Sequence, residues 1–517
     1  MKNVVFRSER YGVEVFEGGV RRELTVYKTL IGYGGTSKIK EAPDEELRRE
    51  YNGLERVCRS RTVKAYYAKC EFEGQIRAEI RLPDDCVSVK ILPESARKKV
   101  RFADGRVIAE TDGTLYFVIQ INGDIYGGLC VFLDKKRNIT FDKKHIIEFR
   151  EGIYTAENCE YIRIDEHGNP VIDGIESDTL IYVGEGAVVN AAIELVGVKN
   201  VEIAGTGIIT LLNRCIGAEN EFESDINWGL FRYYAKPNIL VRSGSENIKI
   251  SGVTLDCEFR GIVLRNSKNI AINNVKIFAS PENADGINCY NTSSLLVEDC
   301  YIQSKDDCFC MYNACDSIPT LFDEGYENAV AVCRDVEFRN CILTTNCRPF
   351  VFGGHATGDT DPRCLIENIY VHDVEIIDTP VWLNCNNEIF SYYWTSVIRI
   401  LSQSQQLVRN LRFENITVDV TKGYYGKIFH LHVRSDEEAS YTESRGYRIE
   451  NILFKNIAIR GNIENLYPSI IKCIEKENVE DEPCISDVTF DGVTLGNRLI
   501  SYDDMRIEGN VSGVEIK

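Results

Sequence analysis

The chain has 517 residues, and its 60 Lys and Arg residues against 79 Asp and Glu residues give a net charge of −19 at pH 7. This acidity argues against nucleic acid and anionic membrane surfaces as partners, because both repel a negatively charged protein. Hydrophobic residues make up 44% of the chain, which is typical of a well-packed protein, and the length favours two domains or one elongated solenoid.

The first 143 residues predict a small antiparallel β-domain. Apolar and polar residues alternate in residues 77–82, residues 115–121 form a nearly continuous apolar run, and Asn122-Gly123-Asp124 follows that run. Alternation of this kind, interrupted by Asn, Gly and Asp, is typical of strands joined by tight turns. We interpret residues 1–143 as a β-sandwich-like domain and residues 144–517 as a second domain of different architecture.

Nine-residue units recur through the second half of the chain. Each reads polar–apolar–x–apolar–x–(Asn, Asp or Gly)–x–x–apolar, and the units begin at Asn200, Asn247, Asn269, Ser294, Asp335, Asn368, Asn410, Asn451 and Asp487. Both halves of a unit alternate with period 2, as strands do, and the sixth residue is of a type that tolerates positive φ. Stacked strand–bend–strand units predict a parallel β-solenoid with its extra residues in loops.

Polar motifs stand in the connections between successive units. They are Asn283-Ala284-Asp285-Gly286, Lys305-Asp306-Asp307-Cys308, Gly354-His355 and Arg399-Ile400. Stacked strands lie about 4.8 Å apart, so we expect these motifs to form a column on one face. Neighbouring carboxylates raise one another's pKa, which lets one act as a general acid while another stays ionised as a base. An inverting glycoside hydrolase needs this pairing.

The order Asn-x-Asp-Gly, Asp-Asp-Cys, Gly-His-x-x-Gly and Arg-Ile resembles the polygalacturonase family, glycoside hydrolase family 28, over residues 144–460. The resemblance implies a right-handed parallel β-helix that hydrolyses pectin-like, uronic acid-containing carbohydrates with inversion and without a cofactor. It implies that Asp306 is the general acid and that Asp285 and Asp307 activate the water. His355 is then expected to maintain the protonation state of the acid, and Arg399 to contact the substrate.

One departure from this family leaves the substrate open. Leu401 stands where the family's Arg-Ile-Lys pattern has the lysine that binds the uronate carboxylate. Lys305 and Arg348 are candidates to replace that lysine, although a surface charge is the simpler interpretation of each. The N-terminal β-domain and the order of the aspartates also resemble dextranases of glycoside hydrolase family 49, so a neutral α-glucan or a galactoside is the alternative substrate. A non-catalytic carbohydrate-binding β-helix is an alternative of another class.

Other side chains are candidates for sugar binding. Asn283 precedes the first aspartate, and Tyr393 and Trp394 precede Arg399. The two aromatic rings either stack on a sugar or pack a loop.

The N-terminus and the cysteines indicate the cellular compartment in which we expect the protein. The first nine residues lack the apolar segment of a signal peptide, and the 19 cysteines are odd in number and scattered. We therefore expect reduced thiols, a cytoplasmic protein and no metal site. An imported oligosaccharide is then the expected substrate, which favours exo-action.

Overall fold

The structure, a computed structural model, describes residues 7–29, 65–211, 235–257, 259–279, 284–313, 332–345, 347–354, 364–377, 396–420, 426–434, 446–464, 466–473 and 484–517. The chain divides into two compact units, with a boundary between Thr140 and Phe141. No helix among the described residues has both the length and the apolar character that crossing a membrane requires.

Two five-stranded sheets form the N-terminal unit. Its strands are β1 (Gly12–Glu17), β2 (Val20–Leu24), β3 (Val26–Lys28), β4 (Tyr66–Phe72), β5 (Ile76–Arg81), β6 (Val89–Leu92), β7 (Val100–Ala103), β8 (Arg106–Thr111), β9 (Leu115–Ile121) and β10 (Asp124–Lys135). The sheet orders are β2-β1-β5-β8-β7 and β3-β4-β10-β9-β6. A short 3-10 helix spans Glu94–Lys98.

The strands and the turn predicted in this unit are confirmed. All pairs among the described strands are antiparallel except β4 with β10, and side chains of both sheets, among them Ile80 and Val131, pack into one core. Asn122 and Gly123, with φ of 53° and 78°, connect β9 to β10. These left-handed conformations are the ones that a tight hairpin requires.

In the part of the second unit that the structure describes, 31 strands form one continuous stack. They are β11 (His145–Phe149), β12 (Gly152–Tyr154), β13 (Arg163–Ile164), β14 (Pro170–Ile172), β15 (Thr179–Val183), β16 (Ala187–Asn190), β17 (Ala192–Val196), β18 (Lys199–Gly205), β19 (Ile208–Thr210), β20 (Ile239–Arg242), β21 (Glu246–Ser251), β22 (Thr254–Cys257), β23 (Ile262–Asn273), β24 (Lys276–Ala279), β25 (Ile287–Glu298), β26 (Tyr301–Ser304), β27 (Phe309–Tyr312), β28 (Val332–Arg339), β29 (Ile342–Thr345), β30 (Phe350–Phe352), β31 (Leu365–Ile376), β32 (Ser396–Ser402), β33 (Leu407–Val420), β34 (Lys427–Val433), β35 (Arg448–Gly461), β36 (Ser469–Cys473), β37 (Ile485–Asp491), β38 (Thr494–Leu495), β39 (Arg498–Leu499), β40 (Met505–Glu508) and β41 (Val511–Ile516). A 3-10 helix spans Tyr502–Asp504.

Successive coils pair in parallel, so this unit is a parallel β-helix. Strands of neighbouring coils match residue for residue, as in β23 with β25 and β33 with β35. Only the short hairpins β13–β14 and β38–β39 are antiparallel among the described strands of the stack. The predicted solenoid is therefore confirmed.

The bends of the repeat also follow the prediction. Positive φ occurs at the sixth position of the units, at Gly252, Asn274, Asp299, Asn340, Asp373, Asn415, Asn456 and Gly492. It occurs at the first position as well, from Asn200 to Asp487, which the sequence pattern alone did not indicate. The amides at the first position stack between coils: Asn269 Nδ2 donates to Asn247 Oδ1 at 2.6 Å. Asn therefore both permits the left-handed bend and connects the coils.

One expectation about the cysteines is wrong. The sulfur atoms of Cys473 and Cys484 form a disulfide, with the two Cα atoms 6.3 Å apart. Most of the other described cysteines, such as Cys289 and Cys341, are buried in the core. The prediction of small buried thiols thus fits most of them and fails for this pair.

A column of phenylalanines stacks inside the later coils. Phe454 lies between Phe413 and Phe490, with ring centroids 5.2 and 4.9 Å away and planes 18° apart in both cases. All three rings are fully buried. The parallel register places the same residue type at the same position in each coil, so the rings fill the core without changing its width.

We predict that Phe454→Ala lowers the free energy of unfolding by about 3–5 kcal/mol, because the cavity between two stacked rings cannot collapse. Calorimetry of the thermal transition measures the loss. The matched control is Leu453→Ala, at a half-buried position next to it. A loss no larger than that of the control would contradict the packing described here.

Candidate active site

Three charged residues occupy equivalent positions in successive coils. Asp285, Asp307 and Arg348 each stand two residues before a strand, and those strands, β25, β27 and β30, pair in register. The backbone N–H of Gly286 donates to Asp307 O at 2.8 Å, and that of Cys308 donates to Arg348 O at 3.0 Å. Parallel pairing thus brings two aspartates and one arginine into one column.

A glycine is required in the first of these motifs because two coils approach closely there. A Cβ added to Gly286 would lie 2.4 Å from Cys308 O and 2.5 Å from Ile302 Cγ2. Any side chain would push the coil of Asp285 away from the coil of Asp307. The Asp-Gly pair therefore sets the distance between the two acids.

Asp307 forms the strongest ion pair of the site. Arg348 Nε donates to Asp307 Oδ1 at 2.6 Å and Arg348 Nη2 to Oδ2 at 2.8 Å, and the Tyr312 hydroxyl donates to Oδ2 at 3.3 Å. Bidentate pairs of this kind are among the strongest hydrogen bonds in proteins. The expectation that Arg348 is a surface charge is wrong, because its side chain is largely buried against this carboxylate.

Asp285 is held by Asn288 and Arg260. The Asn288 amide donates to Asp285 Oδ2 at 2.6 Å, and Arg260 Nε lies 3.6 Å from the same oxygen. Burial, followed by the charge of Asp306, raises the pKa of Asp285 to about 8, although Arg260 acts in the opposite direction. Asp285 is therefore harder to ionise than an ordinary aspartate.

Asp306 is the most accessible of the three acids. Its side chain is 17% exposed, against 7% for Asp285 and 3% for Asp307. Burial and the charge of Asp307 raise the pKa of Asp306 to about 6. An acid with a raised pKa and access to the surface is the arrangement that a proton donor needs.

Basic residues continue the same face beyond Arg348. Arg399 pairs in register with Val351 on one side and His430 on the other, and Lys427 pairs with Ser396. Arg399, Lys427 and His430 are almost fully buried. Burial and the charge of Arg399 lower the pKa of Lys427 to about 7, and burial lowers the pKa of His430 well below its usual range.

Sequence reasoning placed Arg399 in this column but missed Lys427 and His430. Both lie in β34, whose sequence reads as an apolar strand, and the basic residues that interrupt it were the available signal. Lys305 was expected at the surface and is buried instead, with its backbone N–H bonded to Ala279 O at 2.8 Å. Four further candidates lie outside the described residues: Asn283, His355, Tyr393 and Trp394.

One group of side chains has the composition of a metal site. Ligand atoms of Asp306, Asp307 and Cys347 all lie within 4.8 Å of one another. Both oxygens of Asp307 already accept hydrogen bonds from Arg348. At this carboxylate the guanidinium therefore takes the place that a metal ion would need.

Comparison with known families supports the sequence interpretation. A model of the glycosyl hydrolases family 28 matches residues 174–320, a segment that contains Asp285, Asp306 and Asp307. This match confirms the predicted resemblance. Comparison with curated proteins finds no match.

The chain is also similar to solved structures. Dex49A from Penicillium minioluteum gives a TM-score of 0.60 at 12% identity, covering 99% of this chain and 94% of that chain. The polygalacturonase from Erwinia carotovora ssp. carotovora gives 0.45 at 14% identity, covering 74% and 99%. A family 28 exopolygalacturonase from Yersinia enterocolitica gives 0.40 at 13% identity, covering 86% and 97%. The likeness to Dex49A shows the fold, a right-handed parallel β-helix.

We predict that Asp285→Asn stabilises the protein at pH 8 and changes its stability little at pH 4. The pKa of Asp285 is higher in the folded chain than the ordinary value of 3.8, so the folded state binds more protons than the unfolded state between these limits. The stability of wild type therefore falls as pH rises through this window. The uncharged amide of the Asp285→Asn variant does not titrate, so the variant lacks this loss of stability.

The measurement is the unfolding midpoint of variant and wild type at pH 4, 6 and 8. The control is Asp503→Asn at an exposed position, where a constant difference is expected. An Asp285→Asn protein that is less stable than wild type at pH 8 would contradict the account of Asp285 as a costly buried carboxyl group.

Proposed function

We propose that this chain, a glycoside hydrolase of the β-helix kind by its family 28 match over residues 174–320, hydrolyses uronic acid-containing oligosaccharides with inversion. The observation that carries the proposal is the stacked acid cluster, in which one accessible carboxyl group with a raised pKa adjoins a buried carboxylate paired to an arginine. The two carboxyl groups thereby have different surroundings, one accessible from the surface and the other buried against an arginine.

Asp306 is the proposed proton donor. Its raised pKa keeps part of the population protonated near neutral pH, and its exposure lets it reach the glycosidic oxygen. Proton donation to the leaving oxygen lowers the barrier to cleavage of the bond between that oxygen and the anomeric carbon.

Asp307 and Asp285 are the proposed pair that holds the attacking water. Arg348 holds Asp307 in place by two hydrogen bonds, and Asp307 is the member that we propose accepts a proton from the water. Asp285, with its pKa raised to about 8, positions the water from the next coil.

A retaining mechanism is the second candidate. Oxygens of Asp306 and Asp307 lie within 4.8 Å of each other, whereas inverting enzymes typically separate their two carboxyl groups by about 6.5–9.5 Å and retaining ones by about 5 Å. The bidentate pair with Arg348 makes Asp307 better suited to orient a water than to attack the sugar, which favours inversion.

The basic residues beyond the acids favour an anionic sugar. Arg399, Lys427 and His430 lie in two neighbouring coils, and the repulsion between their charges contributes to the lowered pKa values of Lys427 and His430. A substrate carboxylate placed among them would relieve this repulsion. A neutral α-glucan has no carboxylate and would not relieve it. The dextranase-like alternative is therefore less favoured, although Leu401 replaces the lysine that binds the uronate carboxylate in the polygalacturonase pattern.

The first test compares wild type with Asp306→Asn on oligomers of galacturonate and on isomalto-oligosaccharides. We expect the variant to lose at least about 10²-fold in kcat, because the general acid is removed, while its affinity measured by calorimetry stays nearly unchanged. Proton NMR of the first product gives its anomer, and the product size separates exo-action, which we propose, from endo-action.

Each outcome decides between alternatives. Initial release of the inverted anomer from galacturonate oligomers supports the proposal, whereas the retained anomer assigns the nucleophile to Asp307. Turnover of isomalto-oligosaccharides alone moves the substrate to neutral glucan. Tight binding of a sugar by wild type without any turnover identifies a carbohydrate-binding module and contradicts the proposed enzymatic activity.

We predict that Lys427→Met weakens binding of trigalacturonate by roughly 10- to 100-fold, since a hydrogen bond to a charged group contributes about 1.5–3 kcal/mol. Calorimetry in the Asp306→Asn background measures it without turnover. A carboxyl-reduced trimer, which lacks the negative charges, is expected to bind both proteins equally.

The matched control for this variant is Lys455→Met, which removes a partly exposed lysine. This variant is expected to leave the affinities for trigalacturonate and for the carboxyl-reduced trimer unchanged. Equal weakening of the charged and the reduced trimer by Lys427→Met would show that Lys427 acts through the fold and not through a substrate carboxylate.

A further inference from the structure

A half-buried thiol adjoins the acid cluster. Cys347 directly precedes Arg348, and its Sγ lies within 4.8 Å of carboxylate oxygens of both Asp306 and Asp307. Two other cysteines close to the acids in the chain, Cys308 and Cys310, are fully buried. Neither the family resemblance nor the sequence pattern assigns a role to Cys347.

A short hydrogen-bond network ties Cys347 to Asp306 through the backbone. The Cys347 N–H donates to Thr345 Oγ1 at 2.9 Å, and the Thr345 hydroxyl donates to the carbonyl of Asp306. The Ser304 hydroxyl donates to the same carbonyl at 2.8 Å. The main chain of Asp306 and the position of the thiol are thus set by the same side chain, Thr345.

The carboxyl group of Asp306 has a different set of neighbours. Arg348 Nη2 reaches its Oδ1 only at 3.8 Å, which is too long for a hydrogen bond. The Cys347 Sγ, in contrast, lies within 4.8 Å of a carboxylate oxygen of Asp306, and the thiol acts to lower the pKa of that carboxyl group. Arg348 therefore fixes Asp307, and the thiol lies beside the side chain of Asp306.

We propose that Cys347 is a positioning residue for the proton donor: its S–H donates to one oxygen of Asp306 and leaves the other oxygen to carry the proton that passes to the substrate. This inference rests on the proposed function. In the catalytic step the O–H bond of Asp306 breaks, its electron pair stays on the carboxylate, and the proton bonds to the leaving oxygen. The S–H bond stays intact throughout.

The chemistry of the thiol suits this role. Burial raises the pKa of the Cys347 thiol well above its usual range, and the charges of Asp306 and Asp307 act in the same direction. The raised pKa keeps the thiol protonated, and so able to donate, near neutral pH. A thiol is also a weaker donor than a hydroxyl. It orients the carboxyl group while lowering the pKa of Asp306 less than a serine would.

The test is the pH dependence of kcat/KM for Cys347→Ala and Cys347→Ser. Activity falls at high pH as Asp306 loses its proton, so this limb reports the pKa of Asp306. Cys347→Ala removes the donor and is expected to move the limb to higher pH and to lower kcat roughly two- to tenfold, as for one neutral hydrogen bond. Cys347→Ser strengthens the donor, and we expect the limb to move to lower pH with kcat largely retained.

The opposite directions distinguish positioning from a structural effect. A merely structural role would lower activity and stability in both variants without opposite shifts. Cys159→Ala, at another half-buried cysteine, is expected to leave the profile unchanged. Unshifted limbs in both Cys347 variants, or shifts in the same direction, would overturn the proposal.

A second readout does not need a substrate. The S–H stretching band of Cys347, isolated as the difference between infrared spectra of wild type and Cys347→Ala, is expected to shift as Asp306 titrates. In Asp306→Ala the band should lie at the frequency of a thiol without an acceptor at all pH values. If the band of wild type shifts with pH but wild type cleaves no sugar, the contact between Cys347 and Asp306 stands and only the proposed function is rejected. A band that does not change with pH would reject the role of Cys347 itself.

Discussion

Parallel hydrogen bonds between successive coils hold the site together. Gly286 and Cys308 donate to the carbonyls of Asp307 and Arg348 in the next coil. A slip of one residue between coils would exchange the inward and outward sides of the strands, which would turn Asp285 and Asp307 into the apolar interior. The left-handed bends, such as the one at Asn274, set where each strand begins and so prevent that slip.

The charge of the cluster follows from this register. Two acids stacked one coil apart, with Asp306 beside them, repel each other, and burial adds to the cost of ionisation. The column therefore has an arginine on either side, Arg260 before Asp285 and Arg348 after Asp307. Arg348 binds Asp307 in bidentate fashion, whereas Arg260 only approaches Asp285, so the two acids have different surroundings.

Charge also changes sign along the face. The acids occupy the coils of β25 and β27, and the basic residues Arg399 and Lys427 occupy the coils of β32 and β34. At about 4.8 Å for each coil, a sugar chain lying along this face would meet the acids first and the basic residues roughly 10 Å later. We infer that cleavage and recognition of a negative group are divided between different coils of the same helix.

The amino-acid sequence by itself determined the repeat, its bends and the identity of the acids. Strand period and the preference of Asn, Asp and Gly for positive φ are local properties, so Asn274 or Gly492 could be read as a bend without knowledge of the fold. Asp285 and Asp306-Asp307 stand directly before such strands, and their place in the column followed from the same pattern.

Only the tertiary structure decided which residues of distant coils meet. The starts of the units are separated by 22 residues at Asn247 to Asn269 but by 47 at Asn200 to Asn247, so loop length hides the register of the connections. Arg348, Lys427 and Cys347 therefore read as ordinary charges or thiols in the sequence. Backbone hydrogen bonds between coils place Arg348 on Asp307 and Cys347 beside Asp306, because pairing across a coil depends on contacts that no local pattern encodes.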